Sequence, residues 1–445
     1  MPRDRCAPPA RVVACDLRLQ AVGTLTPVEE DRMPTPDAAV KPVEYIRSCF
    51  PALLRDVAGY PVAHFDAPGG TQVTSAVADA VRDQLLRHNA NAHWAFATSR
   101  ELDEMMERAR AAAADYVGGS PAEIVFGPNM TSLTFHLARA LGRSWGPGDE
   151  VVVTELDHDA NISPWRDLEV ERGLTVHTVP LDPDSGDLDW EAFESILSDR
   201  TRLVAVTAAS NALGTIVDLQ RVRHLAAPMG ALTFVDAVHF APHERVNVGQ
   251  LGCDFLACSA YKFYGPHVGV LWGRHELLEA VWPPKLAPAP DAPPERWETG
   301  TLNHEGIAGT EAAVDFIASL AAGDDRATAL DGALAGLSSR GEILVNRLLD
   351  GLGDIGGVRL FGPRRGRPRT PTVSFTIEGS SPAEAAALLS DEWGLFLSHG
   401  DFYASSVTRR LGAEPGGLLR AGCACYTTEE EVDRLIEAVD RLASN

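Results

Sequence analysis

The residues with the clearest chemistry are an aspartate and a lysine that each follow directly on an apolar run. Asp236 closes the run in ALTFVDAVHFAPH, and Lys262 comes just after the run in DFLACSAYKFYGP. If both runs are strands of a parallel sheet, the two side chains emerge at the same edge and share one pocket. A lysine there can form a Schiff base, and a buried aspartate can keep a pyridine nitrogen protonated. Pyridoxal 5'-phosphate (PLP) requires both groups of its protein, so the pair predicts a PLP site.

Two further features suit the same cofactor. The segment EIVFGPNMTSLTFHLARAL predicts a strand, a polar turn from Gly127 to Thr131 and a helix, whose free N–H groups attract a phosphate. His158 lies just past the apolar run EVVVTEL, where its imidazole can lie on a flat ring. Taken singly, an ordinary capped helix and a structural histidine explain these features equally well. Their combination with Asp236 and Lys262 predicts a PLP pocket.

The elements that must position these residues are short apolar runs that alternate with helical stretches. The runs are EIVFG, EVVVTEL, TVHTVPL, RLVAVTAA, ALTFVDAV, DFLACSA and GVLWG. Such alternation is typical of a mainly parallel sheet with helices on both faces. From about residue 300 the pattern changes to two helices, the strands VRLFG and TPTVSFTI, a helix, the strand LLRAGCACY and a final helix. We predict an α/β protein, with a mainly parallel seven-stranded sheet in a large domain and a smaller α+β C-terminal domain.

This pattern divides the chain into four parts. Residues 1–40 are rich in Pro, Arg and Asp without a helical or strand period, so we predict a disordered N-terminal extension in which Met33 is a possible start. Residues 41–75, where YIRSCFPALL is predicted to be helical, form a segment that packs near the small domain. Residues 76–300 form the predicted large PLP-binding domain, and residues 301–445 the small C-terminal domain.

Composition excludes several classes of partner. The 445 residues include 39 Lys+Arg against 62 Asp+Glu, a formal net charge of −23. This acidic balance repels phosphate backbones and anionic lipid surfaces, so we expect neither nucleic acid nor a membrane as a partner. No run approaches the roughly 18 apolar residues that a membrane span needs, and no long apolar run follows the early arginines. We expect a cytoplasmic protein with a small-molecule substrate.

The cysteines suggest no metal or disulfide framework. The seven cysteines are odd in number and contain no C-x-x-C pair, so no metal site is expected. Cys423 and Cys425 alternate in LLRAGCACY and are predicted to lie on one face of a strand as core residues. The sequence GLGDIG matches G-x-G-x-x-G by spelling only, because it follows a predicted helix and precedes a predicted strand.

Taken together, the motifs resemble the class V aminotransferase group of fold-type I PLP enzymes, and most closely its cysteine desulfurase-like branch. The resemblance covers roughly residues 60 to 440 and keeps the family's order and spacing. It implies a homodimer with the cofactor near the subunit boundary. The motifs that carry it are FGPNMT, ELDHDANISPW, AASNALGTI, FVDAVHFAPH, CSAYKFYGP, WETGTLNHEGI and LLRAGCACYTTEEEV.

The resemblance implies a role for each matching residue. Lys262 looks like the lysine of the internal aldimine and the proton shuttle, Asp236 like the partner of the pyridinium, and His158 like the histidine stacked on the ring. These three are the expected catalytic residues. The expected cofactor-binding residues are Asn129, Met130, Thr131, His158, Asn211, Asp236, His239, Ser259, Tyr261, Lys262 and Thr301 of the partner subunit.

Two of these positions depart from the family pattern. Family members usually carry Gln at the position of His239, and desulfurases carry His at the position of Tyr261. We expect His239 to introduce a group that titrates near neutral pH beside the cofactor. Trp94 also replaces a basic residue that desulfurases tend to carry, which predicts a more aromatic pocket mouth.

The expected substrate-binding residues are Arg420, Gly69, Gly70 and Tyr403. Arg420 resembles the arginine that holds the substrate α-carboxylate, for which a planar two-point donor is suited. The turn at Gly69 and Gly70 is the alternative carboxylate site. Tyr403 falls where desulfurases carry the cysteine that accepts sulfur, and no cysteine lies between Cys258 and Cys423.

This missing thiol decides the expected function. Removing the α-proton from an external aldimine places a carbanion in conjugation with a protonated pyridine, which lets a group on Cβ depart. We expect a PLP-dependent lyase or carbon-bond-forming enzyme that acts on an α-amino acid at Cα or Cβ through aldimine and quinonoid intermediates, and not a persulfide-relay desulfurase. The alternatives are a desulfurase-like C–S or C–Se lyase without a protein persulfide, a class V aminotransferase or racemase, and a non-catalytic PLP-fold module.

Overall fold

The computed structural model describes residues 40–444. Apart from residue 40, the expected disordered extension, with Met33 as a possible start, lies outside the described residues, as do Cys6 and Cys15. Among residues 40–444, no helix is both long enough and apolar enough to cross a membrane.

The N-terminal segment contains one short helix, a 3-10 helix and three two-residue strands. The predicted helix over YIRSCFPALL is interrupted, because Phe50 is extended (φ −113°) before Pro51. Proline disfavours the helical conformation in the residue before it, and it lacks the N–H that would continue the helix. The elements are α1 (Val43–Ser48), the 3-10 helix Pro51–Leu54, β1 (Asp56–Val57), β2 (Tyr60–Pro61) and β3 (Ala63–His64).

The large sheet is built from the seven predicted apolar runs, which confirms the α/β fold class. Its order is β4-β12-β11-β10-β9-β5-β6, and every pairing is parallel except those that β12 makes with β11 and β4. The small hairpin of β7 and β8 lies outside this sheet. The strands are β4 (Ile124–Gly127), β5 (Glu150–Thr154), β6 (Thr175–Val179), β7 (Leu181–Asp182), β8 (Asp187–Leu188), β9 (Thr201–Thr207), β10 (Leu232–Asp236), β11 (Phe255–Ser259) and β12 (Gly269–Gly273).

Helices cover both faces of the large sheet. The central strands are buried on both sides, which is why they read as nearly continuous apolar runs. Helices α4 and α5 pack into the apolar core of one face, and α3 packs into that of the other. The helices in this part of the chain are α2 (Ser75–Arg87), α3 (Ala97–Val117), α4 (Met130–Gly142), α5 (Ser163–Arg172), α6 (Trp190–Ile196), α7 (Leu219–Ala226), α8 (Val248–Leu251) and α9 (His275–Ala280).

The C-terminal part is α+β, as predicted from the sequence. Its sheet is antiparallel in the order β13-β14-β17-β16, and β15 instead pairs with β3 of the N-terminal segment. The boundaries 76–300 and 301–445 for the two domains stay a prediction. The elements are α10 (His304–Ala318), α11 (Arg326–Gly353), β13 (Val358–Phe361), β14 (Thr372–Ile377), α12 (Pro382–Trp393), β15 (Leu395–Phe396), β16 (Ser398–Gly400), α13 (Ser405–Arg410), β17 (Leu418–Gly422) and α14 (Glu429–Ala443).

The placement of Cys423 and Cys425 on a strand is wrong. Strand β17 ends at Gly422, the last residue paired with β14. The chain then leaves the sheet, because the N–H of Cys423 donates to Pro371 O and that of Cys425 donates to the hydroxyl of Tyr264. Both cysteines are buried, as expected of core residues.

Candidate active site

Asp236 and Lys262 lie at one edge of the large sheet. Asp236 is the last residue of β10, and Lys262 ends the 3-10 helix that follows β11. The two strands are parallel neighbours, with Asp236 opposite Ala257, so both side chains emerge beyond the carboxyl ends of their strands. Asp236 is 4% exposed and Lys262 9% exposed, so the sheet edge holds both a carboxylate and an amine away from water.

The amine of Lys262 is held by a turn of the N-terminal segment. Its Nζ donates to Pro68 O at 2.5 Å and to Gly69 O at 2.8 Å, and it lies 4.8 Å from the ring centroid of Tyr261. The turn itself is closed by the N–H groups of Gly69 and Gly70, which both donate to Asp66 O. The predicted substrate glycines therefore lie next to the predicted Schiff-base lysine.

Burial changes the acidity of this lysine. Desolvation, with a smaller contribution from the positive charge of Arg420, lowers the pKa of Lys262 to about 7, against the opposing charges of Asp236 and Asp66. A lysine with this pKa is partly neutral at physiological pH. The neutral amine is the form that attacks a carbonyl or accepts a proton.

Asp236 has a second buried carboxyl group near it, that of Asp157, which the sequence analysis did not identify. The Oδ1 of Asp236 accepts from the N–H of Val238 at 2.9 Å, and burial raises the pKa of Asp236 to about 6. Asp157 is fully buried nearby, where it accepts hydrogen bonds from Thr154 Oγ1 (2.6 Å) and Asn161 Nδ2 (2.8 Å). Burial raises the pKa of Asp157 to about 8, so this carboxyl is mostly protonated at neutral pH while Asp236 is mostly ionised.

His158 is oriented by its own backbone. It caps the 3-10 helix Asp159–Asn161, and its Nδ1 accepts from the N–H of Ala160 at 3.0 Å. Burial, together with the positive charges of Lys262 and Arg420, lowers its pKa to about 4. The imidazole is therefore neutral above pH 5, which suits a flat stacking surface.

The turn before α4 has the shape of a phosphate cradle. Asn129 caps the helix through Oδ1, which accepts from Ser132 N at 2.9 Å, and the N–H of Met130 donates to Ser259 Oγ at 3.0 Å. A Cβ at Gly269 would lie 2.4 Å from the carbonyl carbon of Asn129, so only glycine allows this close approach. Ser259 thus joins the N-terminus of α4 to the end of β11, and the role of this turn as a phosphate site stays a prediction.

Three of the predicted cofactor residues, Thr131, Tyr261 and Thr301, are exposed or only half-buried. Thr131 is exposed in the first turn of α4, and Thr301 is exposed just before α10. Tyr261 is half-buried, and its ring stacks on His267 with centroids 5.0 Å apart and planes at 18°. The cofactor contacts of these three residues stay predictions.

Asn211 and His239 lie deeper. Asn211 Nδ2 donates to Phe402 O at 3.0 Å, while its Oδ1 is buried without a hydrogen-bond partner among the described residues. His239 Nε2 lies 2.9 Å from Thr370 Oγ1 and 3.1 Å from Thr372 Oγ1. The unpartnered Oδ1 of Asn211 can accept a hydrogen bond from a donor group of a ligand in this pocket.

The expectation that His239 titrates near neutral pH is wrong. Burial lowers its pKa well below the usual value, and the charges of the neighbouring His243, Arg420 and Lys262 act in the same direction. His239 is therefore a neutral hydrogen-bonding group throughout the physiological range.

Arg420 projects from β17 of the small sheet and is 3% exposed. Its Nη1 donates to Asn211 O at 2.8 Å and its Nη2 to Ser398 Oγ at 3.1 Å, while Nε has no partner among the described residues. The guanidinium carbon lies 4.0 Å from the ring centroid of Phe402. Both Nη atoms keep a second hydrogen, so the fork can still donate to a carboxylate.

Tyr403 lies against the predicted ring-stacking histidine. Its ring and that of His158 have centroids 5.6 Å apart and planes 26° apart. Its carbonyl oxygen accepts from Asp159 N at 2.7 Å, and its N–H donates to Asp401 Oδ1 at 3.0 Å. The place that the resemblance gives to an acceptor thiol thus carries a phenol next to His158.

Four of the five cysteines among the described residues are buried. Burial raises the pKa of Cys253, Cys258 and Cys425 to about 12 and that of Cys423 further still. Cys49 is half-buried just after α1, and its Sγ contacts Tyr45 O at 3.5 Å. A reactive thiolate needs a lowered pKa and access, and the four buried thiols have neither.

One residue of the site escaped the sequence reading. Asp66, in HFDAPGG, has a buried Oδ1 without a hydrogen-bond partner among the described residues. It acts on the pKa values of both Lys262 and Arg420. Its position just before the glycine turn could have identified it. The sequence analysis used this segment only to predict a strand and a turn, and it assigned Asp66 no function.

A mainly parallel sheet that brings a buried lysine and aspartate to one edge, beside the N-terminus of a helix, defines the fold-type I PLP-dependent enzymes, and this protein is one of them. The family model for class V aminotransferases matches residues 63–435. The chain therefore belongs to the class V aminotransferase family and uses PLP, which confirms the resemblance inferred from its motifs.

Its relatives include cysteine desulfurases. The chain is 34% identical over 417 residues to a cysteine desulfurase of Dickeya dadantii, an alignment that covers 90% of this chain and 97% of the relative. The apo structure of a cysteine desulfurase from Thermococcus onnurineus NA1 superimposes with a TM-score of 0.82 at 29% identity, covering 92% of this chain and 99% of that one. The cysteine desulfurase CsdA of Escherichia coli superimposes with a TM-score of 0.78 at 28% identity, covering 91% and 99% of the two chains.

Proposed function

We propose that this enzyme acts on an α-amino acid at Cα or Cβ as a lyase or carbon-bond-forming enzyme, and that it relays no persulfide. The observation that carries the proposal is the stacking of Tyr403 on His158, at the position that the resemblance gives to the acceptor cysteine. A phenol does not take up sulfur as a thiolate does. The chemistry of PLP with amino acids does not depend on that thiol.

The contacts of Arg420 support its role as the carboxylate site. The guanidinium is buried, held in place by Asn211 and Ser398, and retains free N–H groups. A substrate carboxylate held there lies on the same side of the pocket as the turn at Gly69, because a Cβ at Gly69 would lie 3.7 Å from Arg420 Nη2. This distance supports a binding position for the amino acid between Arg420 and the lysine amine.

Lys262 is suited to move the α-proton. With a pKa of about 7, its amine exists in both protonation states at neutral pH, so it can accept a proton from Cα and return one. When bound, PLP supplies an electron sink for the pair left at Cα. The carbonyl oxygens of Pro68 and Gly69 hold the amine at the edge of the pocket.

Asp236 and His158 prepare the pocket for that chemistry. An ionised Asp236 at the end of β10 would keep a pyridine nitrogen protonated, and the neutral imidazole of His158 would offer a flat surface for stacking. The N-terminus of α4, with Asn129, Met130 and Ser259, would hold the phosphate of the cofactor. Thr301 of the partner subunit completes this cradle in the proposed homodimer.

A second candidate is a desulfurase-like C–S or C–Se lyase that releases its sulfur or selenium without a protein persulfide. The 34% identity to a cysteine desulfurase favours it. A class V aminotransferase is the remaining alternative, supported by the family assignment.

The test is a panel of amino acids offered to the PLP-loaded enzyme, with products identified by mass spectrometry. Loss or replacement of a Cβ substituent, without sulfur on the protein, is the expected result. Release of sulfide or selenide, again without sulfur on the protein, would select the second candidate. A keto acid formed together with an aminated cofactor would select the aminotransferase instead. Alanine release coupled to a stoichiometric protein persulfide would overturn the proposal.

A further inference from the structure

The segment between β16 and α13 places two consecutive aromatic residues in an unusual backbone conformation. Phe402 and Tyr403 have φ angles of 59° and 55°, in the left-handed region that favours glycine. This turn sends the two rings to different targets. The ring of Phe402 covers the guanidinium of Arg420, and that of Tyr403 stacks on His158.

Contacts from three directions hold this turn in place. Asn211 Nδ2 donates to Phe402 O at 3.0 Å, and Asp159 N donates to Tyr403 O at 2.7 Å. Ala404, which follows directly, is completely buried. The two rings are therefore positioned before any substrate arrives.

Tyr403 offers a large open aromatic surface. Its side chain remains 72% exposed although one side of the ring lies on His158. An exposed aromatic ring near the proposed site of the substrate carboxylate can pack against a planar apolar group of the substrate. A substrate held at Arg420 therefore has an aromatic ring within reach of its side chain.

Acidic residues flank the backbone of Tyr403, while the cations Lys262 and Arg420 act on His158, on which its ring stacks. The N–H of Tyr403 is bound by the carboxylate of Asp401, and Asp159 contacts the carbonyl of Tyr403 through the backbone N–H. Of the cations of α13, Arg410 is paired with Glu155 at 2.7 Å, whereas Arg409 lies 3.9 Å from Glu414 and its charge also acts on Asp159. An anionic side chain would meet two carboxylates at this turn, and Arg409 of α13 acts on one of them, Asp159.

We propose that Phe402 and Tyr403 form an aromatic wall that selects amino acids with an aromatic side chain or Cβ substituent, uncharged or cationic. The inference rests on the proposed function in one respect only, since it takes Arg420 as the site of the α-carboxylate. The proposed side-chain preference does not depend on which bond of the substrate is broken.

Equilibrium binding tests the wall apart from turnover. We would titrate the PLP-loaded enzyme by calorimetry with phenylalanine, alanine and aspartate. Aromatic pairs contribute about 0.5–1.5 kcal/mol beyond buried area, so phenylalanine is expected to bind at least about twofold tighter than alanine. Aspartate is expected to bind more weakly than alanine.

Variants assign the preference to the ring. Tyr403→Ala is expected to remove the preference for phenylalanine over alanine, and Tyr403→Phe to retain it. Tyr45→Ala, which removes a tyrosine that is 48% exposed on α1, is the control and should change neither affinity.

Three results would overturn the inference. These are equal affinities for phenylalanine and alanine in the wild type, an equal loss for both ligands in Tyr403→Ala, and loss of the preference in Tyr403→Phe. The proposed function fails separately: an aromatic preference without Cα or Cβ chemistry in the panel would refute the reaction class and leave the wall intact.

Discussion

The amine of Lys262 donates a hydrogen bond to the carbonyl oxygen of Gly69, 2.8 Å away and 193 residues earlier in the chain. The contact joins the edge of the large sheet to a turn that also lies beside Arg420 of the small sheet. The groups proposed for the cofactor and for the substrate carboxylate therefore meet at one short turn. A substitution at any of the three positions is expected to affect the other two.

Lys262→Ala is expected to abolish turnover, because both Schiff-base formation and proton transfer need its amine. The sequence contains three lysines, Lys41, Lys262 and Lys285, so borohydride reduction followed by peptide mapping can assign the attachment unambiguously. We expect the reduced cofactor on the peptide that contains Lys262. Lys285→Ala, at a lysine paired with Asp291, is the matched control and should keep its activity. Wild-type turnover in Lys262→Ala would remove this residue from the mechanism.

Asp236→Asn is expected to lower activity by orders of magnitude while PLP stays bound, because an amide does not stabilise a pyridinium as a carboxylate does. Asp157→Asn is a sharp control. Burial keeps Asp157 mostly protonated at neutral pH, so an amide replaces a group that is already neutral. Turnover and cofactor absorbance are measured for both variants, and only Asp236→Asn is expected to lose turnover. Equal losses would show that charge at Asp236 is not what matters.

Arg420→Lys keeps the charge but loses the two-point donor, so we expect KM to rise by about tenfold or more and bond selectivity to fall. Steady-state kinetics and product ratios measure both effects. If both stay unchanged, the carboxylate is held elsewhere, and the turn at Gly69 and Gly70 becomes the candidate.

Acid is expected to destabilise the fold through its buried histidines. Burial lowers the pKa of His243 to about 3, from 6.5 in an unfolded chain. Between these values the unfolded state binds a proton that the folded state does not. The stability from this group is therefore complete above pH 6.5 and is lost as the pH falls, by about 1.4 kcal/mol for each unit. We expect unfolding free energies of His243→Gln to fall less steeply between pH 6.5 and 4.5 than those of the wild type, and parallel slopes would contradict this.

The sequence predicted the large sheet and the pair at its edge well, for a physical reason. Strands buried on both faces are nearly continuous apolar runs and could be recognised locally, whereas the partly exposed edge strand β6 was recognised because strands and helices alternate along the chain. Asp236 and Lys262 stood out because a charged residue that ends such a run emerges where ligands bind.

What the sequence did not predict depends on contacts between distant segments. The pKa of His239 follows from burial among Thr370, Thr372 and His243, which come from distant segments of the chain. The end of β17 at Gly422 depends on Pro371, which accepts the next N–H of the chain. No local pattern contains this information.

The last prediction concerns sulfur. Offered cysteine, the PLP-loaded wild type is expected to form no persulfide on any of its seven cysteines. Tyr403 occupies the acceptor position, four of the described thiols are buried with raised pKa values, and Cys49 lies after α1. Mass spectrometry of sulfane sulfur on intact protein and peptides measures the outcome.

Tyr403→Cys gives the complementary experiment. It places a thiol beside His158 on a turn that Asn211 and Asp159 already hold, so position 403 is expected to acquire sulfane sulfur. Arg409→Cys, on the exposed side of the neighbouring helix α13, is the matched control and should acquire none. A stoichiometric persulfide in the wild type, coupled to alanine release, would instead establish a desulfurase with a relocated thiol. Labelling of both new cysteines alike would show that a diffusible small-molecule persulfide passes its outer sulfur to any accessible thiol by exchange, because direct transfer requires the thiol to lie next to the substrate.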